Sequence, residues 1–491
     1  MNWEPVIGLE VHVQLSTQSK MFCSCPADYQ DASPNTMVCP VCLGMPGTLP
    51  VVNQKAIEFV IMTGLALDCT IANYTQFDRK NYPYPDLMKG YQISQYENPI
   101  ASMGSLTINV GSGERTIRIT RAHLEEDVAK LQHKNKSSGI SHSLIDVNRS
   151  GTPLMEIVGE PDLRSSEEAK EYLVRLRSIL QYLGVTSGEM DQGNLRCDAN
   201  ISIRSIGTTE YGSKVEIKNM NSFKSVSSAI EYEITRQSSL LANGSKVEQE
   251  TRGWNDERQV TVSQRSKEHS HDYRFFPEPD LPPIYISSKW VEDIRENLPE
   301  LPGKRLQRLV NEYGLAPYDV GLLTNRKATA DFFEESLSKC NLSGGNLNRR
   351  AKATANWING EISRFLNQTD VTIEETNLTP SGLSDLIDLL DDGTINGAQA
   401  KELLIGTLET GESPAKMVKD QGLTQLRDSV AILDLIKIVL DQHQEAADDF
   451  RKGKDTALGF LVGKVMKISK GEANPGLVNS LLREQLKESS V

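Results

Sequence analysis

A short segment near the start of the chain alternates between apolar and polar residues, and two of the polar residues could do chemistry. Residues 6–15 place Ile, Leu and Val at odd positions and Glu10, His12 and Gln14 at even positions beyond Gly8. Because side chains alternate faces along a strand, this pattern predicts a half-buried strand on which Glu10 and His12 are neighbours. A carboxylate beside an imidazole suits a metal site or an acid–base pair, although a plain solvated sheet face shows the same alternation.

Four later segments repeat this polar alternation, at residues 144–149, 153–158, 195–204 and 214–219, and the acidic stretch 123–127 follows a strand predicted over 116–120. Their polar positions carry acids, amides and arginine: Asp146, Asn148, Glu156, Arg196, Asp198, Asn200, Ser202, Arg204 and Glu216. Several carboxylates on one patch repel each other unless a cation lies between them. Oxygen ligands with one imidazole favour Mg²⁺ or Mn²⁺ over zinc. We therefore predict a sheet whose polar face binds a divalent cation.

A second set of residues predicts a different metal site. Cys23 and Cys25 are followed, after thirteen residues, by the pair Cys39 and Cys42. Two close cysteine pairs across a short loop are typical of a closed, tetrahedral, structural Zn²⁺ site. Unpaired core cysteines are the alternative. A disulfide is disfavoured because no signal peptide or membrane span is recognisable, so the chain is expected to be cytoplasmic, without membrane association and with reduced thiols.

Length and charge restrict the class of protein further. The chain has 491 residues, enough for about three domains, and a net charge of −13 with a pI near 5.2. A general nucleic-acid binder would be basic, so only a local basic surface could contact nucleic acid. Residues 451–470 carry six basic side chains and one acid. This stretch is either a phosphate-contacting surface or a solvated helix face.

The pattern of elements predicts an α+β protein. Strand-like segments dominate up to about residue 285, and two helices are predicted within them, at 165–183 and 222–242. The proline-rich run 276–283 cannot be helical and ends this region. Almost everything after it has helical periodicity. We expect a catalytic domain with an antiparallel sheet at 1–293, a helical domain at 294–399 and a small helical tail domain at 400–491.

Several familiar catalytic motifs are missing from the sequence. There is no Walker A loop, no Gly-x-Gly-x-x-Gly after a strand, and no Gly-x-Ser-x-Gly elbow. Serine-rich amidase motifs are also missing. If the chain is an enzyme, its chemistry is therefore expected on the acidic sheet face.

Longer motifs support a resemblance to a known family. They are residues 8–15, 19–23, 46–50, 77–82, 90–96, 123–127, 195–200 and 273–283. Together they resemble the B subunit of the bacterial glutamyl-tRNA(Gln)/aspartyl-tRNA(Asn) amidotransferase, the GatB/GatE family, over essentially the whole chain. The resemblance implies a catalytic domain similar to glutamine synthetase, followed by a helical domain and a tail that contacts tRNA.

The same resemblance implies an activity, cofactors and partners. The family's members use ATP and Mg²⁺ to phosphorylate the side-chain carboxylate of Glu on mischarged tRNA(Gln), or of Asp on tRNA(Asn). The activated carboxylate then takes ammonia. A partner amidase, the A subunit, releases that ammonia from glutamine and passes it through a channel, and a small C subunit ties the two together. The zinc site occurs in part of the family, so its implied role is structural.

The resemblance also implies roles for individual residues. The first candidates for Mg²⁺ ligands are Glu10, His12, Glu126 and Glu156, followed by Glu125 and Asp198. The first four, together with Lys80, are the candidate catalytic residues. The candidate nucleotide contacts are Arg79, Arg196, Asp198 and Asn200. Arg79 and Lys80 are expected at phosphate or at the channel mouth, and a surface ion pair is the alternative for both.

Two other functions remain open at this point. A non-catalytic, zinc-containing tRNA-binding scaffold would share the cysteines and the basic tail, but it would not need the acidic residues to converge. A self-contained metal-dependent ligase could use free ammonia without any partner. The sequence leaves open whether Glu-tRNA(Gln), Asp-tRNA(Asn) or both are substrates.

Overall fold

The chain divides into two compact units, Met1–Pro302 and Gly303–Val491. The computed structural model describes residues 3–111, 113–135, 141–266, 273–340, 347–422, 429–451, 454–469, 473 and 475–488. Among these residues, no helix is long and apolar enough to cross a membrane. The first unit contains the strands, the acidic segments and four helices, and the second unit is helical.

The strands belong to the first unit and are numbered in chain order. They are β1 Trp3–Gln14, β2 Thr70–Ile71, β3 Tyr74–Thr75, β4 Asp78–Asn81, β5 Tyr91–Ser94, β6 Ala101–Val110, β7 Gly113–Glu126, β8 Lys130–Asn135, β9 Ser141–Asp146, β10 Pro153–Gly159, β11 Leu195–Ser205, β12 Val215–Met220, β13 Glu250–Asn255, β14 Val260–Ser266, β15 Phe276–Pro277 and β16 Ile284–Tyr285. The helices of this unit are α1 Gln54–Ala66, α2 Ser166–Tyr182, α3 Phe223–Ala242 and α4 Ser288–Glu296.

Nine strands form one large sheet in the order β14-β13-β12-β11-β1-β10-β7-β6-β2. All neighbouring pairs are antiparallel except β12 and β13, which are parallel. Parallel neighbours need a crossover connection, and α3 provides it between these two strands. The predicted mixture of helices with a large, mostly antiparallel sheet is confirmed. The single parallel pair is a feature that the periodicity of the strands could not predict.

The hydrophobic core lies on one face of this sheet. Alternate residues of β1, from Ile7 to Val13, are buried in it together with the apolar sides of α1, α2 and α3. Both predicted internal helices are confirmed, and serine caps explain where they begin. The Ser165 hydroxyl accepts a hydrogen bond from the Glu168 backbone amide at 3.1 Å, and the Ser222 hydroxyl accepts one from the Ser225 amide at 3.0 Å. The polar face of the sheet is thereby left on the other side.

A three-stranded sheet, ordered β15-β4-β5, is attached to the end of β7. The Gln95 side chain accepts the Leu124 amide at 3.0 Å, and the Gln92 side chain donates to the Glu126 carbonyl at 2.8 Å. The proline-rich run is not helical, as predicted, and its first two residues form β15. This small sheet brings the segment 78–81 beside the acidic end of β7.

One predicted strand is shorter than expected. β9 ends at Asp146, and a single 3-10 turn covers Val147–Arg149. The Asp146 carboxylate accepts the Asn148 amide at 3.0 Å, which caps the turn. The interpretation that Asp146 and Asn148 share a strand face is therefore wrong. The strand ends here because the aspartate side chain bonds its own backbone two residues on.

The second unit is built from helices around two separate cores. Its helices are α5 Pro302–Tyr313, α6 Pro317–Thr324, α7 Lys327–Ser338, α8 Leu347–Trp357, α9 Ser363–Thr369, α10 Pro380–Asp391, α11 Gly397–Thr410, α12 Pro414–Gln421, α13 Ser429–Gln442, α14 Gln444–Arg451, α15 Thr456–Ile468 and α16 Pro475–Glu488. A π-helical turn, Ile358–Ile362, joins α8 to α9. One core runs from Leu309 to Val418 and the other from Ile432 to Leu486.

The observed limits of the first unit and of the two helical cores differ from the expected domain boundaries. The first unit ends at Pro302 rather than at residue 293, which falls inside α4. Residues Ala400, Leu403 and Leu404 of α11 are buried in the first helical core, so a boundary at 399/400 would divide that core. A helical tail with its own core begins only with α13. The three-domain division itself stays a prediction.

Candidate functional site

The polar face of β1 lies near the middle of the large sheet. β1 pairs with β10 on one side and with β11 on the other, so its polar residues have cross-strand neighbours on both sides. His12 lies opposite Glu156 of β10 and opposite Arg196 of β11. Glu156 in turn lies opposite His123 of β7. Because directly opposed residues of antiparallel strands point to the same face, these side chains form one row.

Three side chains come close enough here to share a cation. His12 Nε2 lies 3.6 Å from Glu156 Oε2 and 3.7 Å from Glu125 Oε1. One ligand atom from each of the three lies within 4.8 Å of the other two. Glu125 is buried, whereas His12 and Glu156 are partly exposed. We call His12, Glu125 and Glu156 the sheet cluster. It combines two carboxylates with one imidazole, which is the donor set predicted for Mg²⁺ or Mn²⁺.

The electrostatics of the sheet cluster favour a bound cation. Burial and the charge of Glu156 raise the pKa of Glu125. Burial alone would also raise the pKa of Glu156, but His123, His12, Lys80 and Arg121 outweigh it and lower that pKa to about 2. When the pKa values of two close carboxylates move apart in this way, each disfavours the ionised form of the other. A divalent cation between them would allow both to ionise, so the residues fit such an ion.

His123 was not among the residues chosen from the sequence. It is almost fully buried, and burial is the main reason that its pKa is lowered to about 4. It is therefore neutral near pH 7, with Nε2 at 3.4 Å from Glu156 Oε2. Its Nδ1 atom has no hydrogen-bond partner among the described residues. A neutral imidazole in this position can hold the Glu156 carboxylate in place without neutralising it.

Glu10 and its neighbours form a second polar row beside the sheet cluster. Asn200 donates a hydrogen bond to Glu10 at 2.8 Å, and Asp198 pairs with Lys218, which also lies 3.2 Å from Glu216. Lys218 thus compensates part of the negative charge of this row, and Glu10 has a neutral amide as its partner. The sequence predicted Glu10 and Asp198 as cation ligands, and the structure places neither in the sheet cluster. Their roles stay predictions.

Glu126 has a different environment from Glu125. Lys89 donates to both of its carboxylate oxygens, at 2.5 and 2.7 Å, and the Ile93 amide donates at 2.9 Å. Side chains alternate along β7, so Glu125 and Glu126 point to opposite faces. Of the four first candidates for ligands, only His12 and Glu156 belong to the sheet cluster. Glu125, a candidate of the second rank, completes it.

Arg196 is oriented by a buried carboxylate. Asp127 lies 2.8 Å from Arg196 and accepts a hydrogen bond from Gln14 at 2.7 Å. Burial acts to raise the pKa of Asp127, but Arg196 and Arg149 outweigh it, so that this pKa is lowered. The ionised Asp127 therefore holds Arg196 opposite His12. The role of Arg196 as a nucleotide contact stays a prediction.

Arg79 and Lys80 lie on opposite faces of β4 and have different environments. Arg79 donates to both oxygens of the buried Glu278, at 2.6 and 2.9 Å. Its guanidinium carbon lies 4.0 Å from the centroid of the Tyr91 ring. The alternative of an ion pair thus describes Arg79 well. Lys80 Nζ instead lies 5.0 Å from the Tyr273 ring, with no carboxylate within 4 Å among the described residues. Its charge acts on the sheet cluster, where it lowers the pKa of Glu156 against the effect of burial.

The four cysteines converge as their spacing predicted. Their sulfur atoms lie within 4.8 Å of one another, and the Cys39 and Cys42 sulfurs are 3.9 Å apart. A tetrahedral zinc with Zn–S bonds of about 2.3 Å separates its sulfurs by about 3.8 Å. The group Cys23, Cys25, Cys39 and Cys42, called here the cysteine cluster, therefore fits one Zn²⁺. All four are free thiols rather than disulfides.

A fully buried lysine lies against the cysteine cluster. Lys20 Nζ is 3.7 Å from the Cys42 sulfur and donates to the Met37 carbonyl at 2.9 Å. The hydrogen bond from Cys23 lowers the pKa of Cys42 to about 4, and the charge of Lys20 acts in the same direction. The same bond raises the pKa of Cys23. At least one thiolate is thus favoured here, which is the form that binds zinc.

The basic stretch at 451–470 is only partly available for phosphate. Arg451 and Lys454 pair with Asp448 and Asp449, which lie just outside the stretch. Lys452 and Lys470 lie outside the described residues. Lys464 and Lys467 are on α15, where Lys464 lies 5.0 Å from the Phe460 ring. The prediction of a phosphate-contacting surface is not tested by this arrangement.

Comparison with known proteins places the chain among close relatives. Residues 5–292 match the GatB/GatE catalytic domain and residues 331–486 match the GatB domain. A relative from Dehalococcoides mccartyi (strain CBDB1) is 52% identical over 488 residues, which cover 99% of each chain. One from Thermodesulfovibrio yellowstonii is 51% identical over 99% of this chain and 100% of its own length, and one from Thermotoga maritima is 48% identical over 99% of both. All three are named as the B subunit of an aspartyl/glutamyl-tRNA(Asn/Gln) amidotransferase.

Proposed function

Since the chain belongs to the GatB/GatE family, we propose that it catalyses the amidating half of a tRNA-dependent amidotransferase reaction. The substrate is Glu on tRNA(Gln), Asp on tRNA(Asn), or both, and the reaction is that of a carbon–nitrogen ligase. An oxygen of the side-chain carboxylate attacks the terminal phosphorus of ATP, and ADP leaves. Ammonia then attacks the acyl carbon, phosphate leaves with the C–O electron pair, and the nitrogen loses a proton.

The observation that carries this proposal is the sheet cluster. His12, Glu125 and Glu156 come from three strands and converge on a partly exposed polar face. They would hold Mg²⁺, which when bound would neutralise phosphate charge during transfer. A scaffold that only bound tRNA would have no reason to place two carboxylates this close together. The same use of an antiparallel sheet face for acyl phosphate formation underlies the proposed likeness to glutamine synthetase.

The cations around the sheet cluster would position the phosphates. Lys80 carries a charge with no carboxylate within ion-pair distance among the described residues, and Arg196 is held by Asp127 with a side chain that is 37% exposed. Phosphoryl transfer depends mainly on positioning and on charge stabilisation. Asp198 and Asn200, on the strand beside β1, stay candidates for nucleotide contacts. Arg79 is a weaker candidate because Glu278 already compensates its charge.

The cysteine cluster would have a structural role. It would hold one Zn²⁺ and stabilise the loop that follows β1. Zinc is not redox-active and four thiolates leave no open position, so this site takes no part in the proposed reaction.

We further propose that the chain works with partners. The names of its relatives describe them as subunits, and the sequence has no ammonia-releasing motif. The expected partners are the amidase or A subunit, the small C subunit and the mischarged tRNA. The isolated chain should use high ammonium but not glutamine as nitrogen donor. Glutamine-dependent amidation by the single chain would contradict this part of the proposal.

The helical tail is proposed to contact the tRNA backbone. Deletion should begin after Gly422, because a cut at residue 400 would open the first helical core. Without the segment 423–491, tRNA affinity and its salt dependence should fall, since fewer phosphates are neutralised. KM should rise more than kcat falls, because the lost binding is uniform. Unchanged tRNA affinity with the same salt slope would give the tail another role.

One experiment separates this function from its alternatives. ATP hydrolysis by the purified chain would be measured with ammonium and with mischarged, uncharged or correctly charged tRNA. The proposal expects hydrolysis only with the mischarged tRNA. A scaffold would hydrolyse no ATP in any mixture, and a self-contained ligase would hydrolyse it without tRNA.

A further inference from the structure

One arginine near the sheet cluster lacks the ion pair that its neighbours have. On strand β7, Arg115 pairs with Glu168 and Arg118 binds both oxygens of Asp162. No carboxylate lies within 4 Å of the Arg121 guanidinium among the residues that the structure describes, and its buried Nε has no hydrogen-bond partner there. Arg121 is partly exposed, but a buried N–H donor without a partner is costly, so a cation in this position indicates an anionic ligand.

The location of Arg121 restricts where that ligand would lie. Arg121 and His123 are two residues apart on β7. Both lie on the C-terminal side of the register shift in the pairing with β10, so their side chains share the polar face. The charge of Arg121 reaches Glu156, where it adds to His123, His12 and Lys80 against the effect of burial on the pKa. Arg121 therefore lies at the rim of the sheet cluster. An anion bound to it would be close to the proposed phosphoryl transfer.

An aromatic pair beside Arg121 indicates what kind of anion it is. The Tyr96 and Phe275 rings stack with centroids 4.3 Å apart and planes within 9°. The Arg121 guanidinium carbon lies 5.6 Å from the Tyr96 centroid. Tyr96 is 49% exposed, although its backbone amide is fixed by Asp78 at 2.9 Å. A fixed and exposed aromatic surface next to an arginine suits a nucleotide, with the base on the ring and the phosphate on the guanidinium.

We propose that Arg121, Tyr96 and Phe275 form a binding site for the adenosine phosphate of one of the two reactants. This inference rests on the proposed function and names a subsite of it. Two sources share the chemistry: ATP, and the terminal adenosine of tRNA, whose ribose carries the aminoacyl group. In both cases the phosphate must lie near the carboxylate that reacts. The guanidinium would bind it through two parallel N–H donors, which a lysine cannot reproduce.

Direct binding to the full-length chain tests the site without requiring turnover. The dissociation constants of Mg-ATP and of uncharged tRNA would be measured for the wild type, Arg121→Met, Arg121→Lys and the matched control Arg118→Met. We expect Arg121→Met to weaken one of the two ligands by about tenfold or more, the loss typical of a charge-assisted pair. Arg121→Lys should recover only part of it, and Arg118→Met should bind both ligands normally.

The aromatic pair provides an independent arm. Tyr96→Leu should weaken the same ligand by about fivefold or more, while Tyr96→Phe keeps the ring and should bind normally. Weaker ATP binding identifies the nucleotide as the occupant, and weaker tRNA binding identifies the terminal adenosine. If Arg121→Met binds both ligands as the wild type does, the site does not exist. If the wild type binds neither ligand, it is the proposed function that fails.

Discussion

The sheet cluster and the cysteine cluster both gather metal-binding side chains, but the chain assembles them differently. The four cysteines come from one segment, residues 23–42. The three members of the sheet cluster come from β1, β7 and β10, and they meet because β10 lies between the other two in the sheet. A loop can bring together cysteines that are already close in sequence. Only the topology of the sheet can bring His12 to Glu125.

The two clusters also differ in how their charge is compensated. The cysteine cluster adjoins the fully buried Lys20 and is made of thiols alone, so a bound zinc would be closed off by four sulfurs. The sheet cluster has three ligands and adjoins Lys80 and Arg121, which bind no carboxylate among the described residues, so it would keep positions open. A closed site stabilises a fold, whereas an open site with free cations can bind phosphate.

The largest effect is expected from the sheet cluster. Glu156→Gln keeps the shape of the side chain but removes a charge that a divalent cation needs. It should lower kcat for tRNA-dependent ATP hydrolysis by about a thousandfold or more, since the cation contributes several kcal/mol to phosphoryl transfer. Glu160→Gln is the matched control, because Glu160 is a partly exposed residue of the same region whose carboxylate accepts the Thr120 hydroxyl at 2.7 Å. Equal activity of the two variants would contradict the assignment.

The cysteine cluster should behave in the opposite way. Cys42→Ser should lower the zinc content from about one ion per chain to none. The melting temperature should fall by about 5 °C or more, because a zinc site contributes directly to folding free energy. At temperatures well below melting, kcat should stay within about tenfold of the wild type, since no step uses this site. Cys340→Ser, in the second unit, is the control and should keep its zinc. A large loss of kcat in folded Cys42→Ser would contradict this prediction, because it would show that the reaction depends on the cysteine cluster.

The contrast between the clusters explains what the sequence could predict. Spacing alone was enough for the cysteines, and alternation was enough for the polar face of β1. The choice between Glu125 and Glu126 needed the exact extent of β7. The sequence predicted that strand only over 116–120, whereas it continues to Glu126. Its pairing with β10 also shifts register between residues 119 and 121. Because a shift of one residue reverses the face of every later side chain, this irregularity decided which glutamate joins His12.

The residues that were missed share a physical cause. The short alternation of residues 121–125, read by itself, would have indicated Arg121 and His123, but a register shift near residue 120 reverses the face relative to Ile117 and Ile119. Other contacts could not be predicted from spacing, because they join residues far apart in the chain. Arg79 pairs with Glu278, and Lys89, in the turn before β5, pairs with Glu126. A basic residue with no acidic neighbour in the sequence can still be paired with a distant carboxylate once the chain folds.

A smaller effect is expected from the lysine beside the cysteine cluster. Lys20→Met keeps most of the buried side-chain volume but removes the positive charge next to the Cys42 sulfur. A zinc with four thiolates has a net negative charge, so loss of this cation should weaken zinc binding by about tenfold, a typical result for residues that contact metal ligands. Competition with a chelator would measure it. Tighter zinc binding in Lys20→Met would show that the buried ammonium competes with the metal.

The smallest effect should come from exchanging the metal at the sheet cluster. Mn²⁺ accepts the same oxygen ligands as Mg²⁺ and tolerates one imidazole well. Replacing Mg²⁺ by Mn²⁺ should therefore keep tRNA-dependent ATP hydrolysis within about tenfold, and the Glu156→Gln variant should stay inactive with either ion. Because the cysteine cluster prefers a softer ion, zinc content measured in the same samples should not change. If Mn²⁺ displaced the zinc, the assignment of the cysteine cluster would be contradicted. If Mn²⁺ failed to support hydrolysis while Mg²⁺ did, the ligand set of His12, Glu125 and Glu156 would be incomplete.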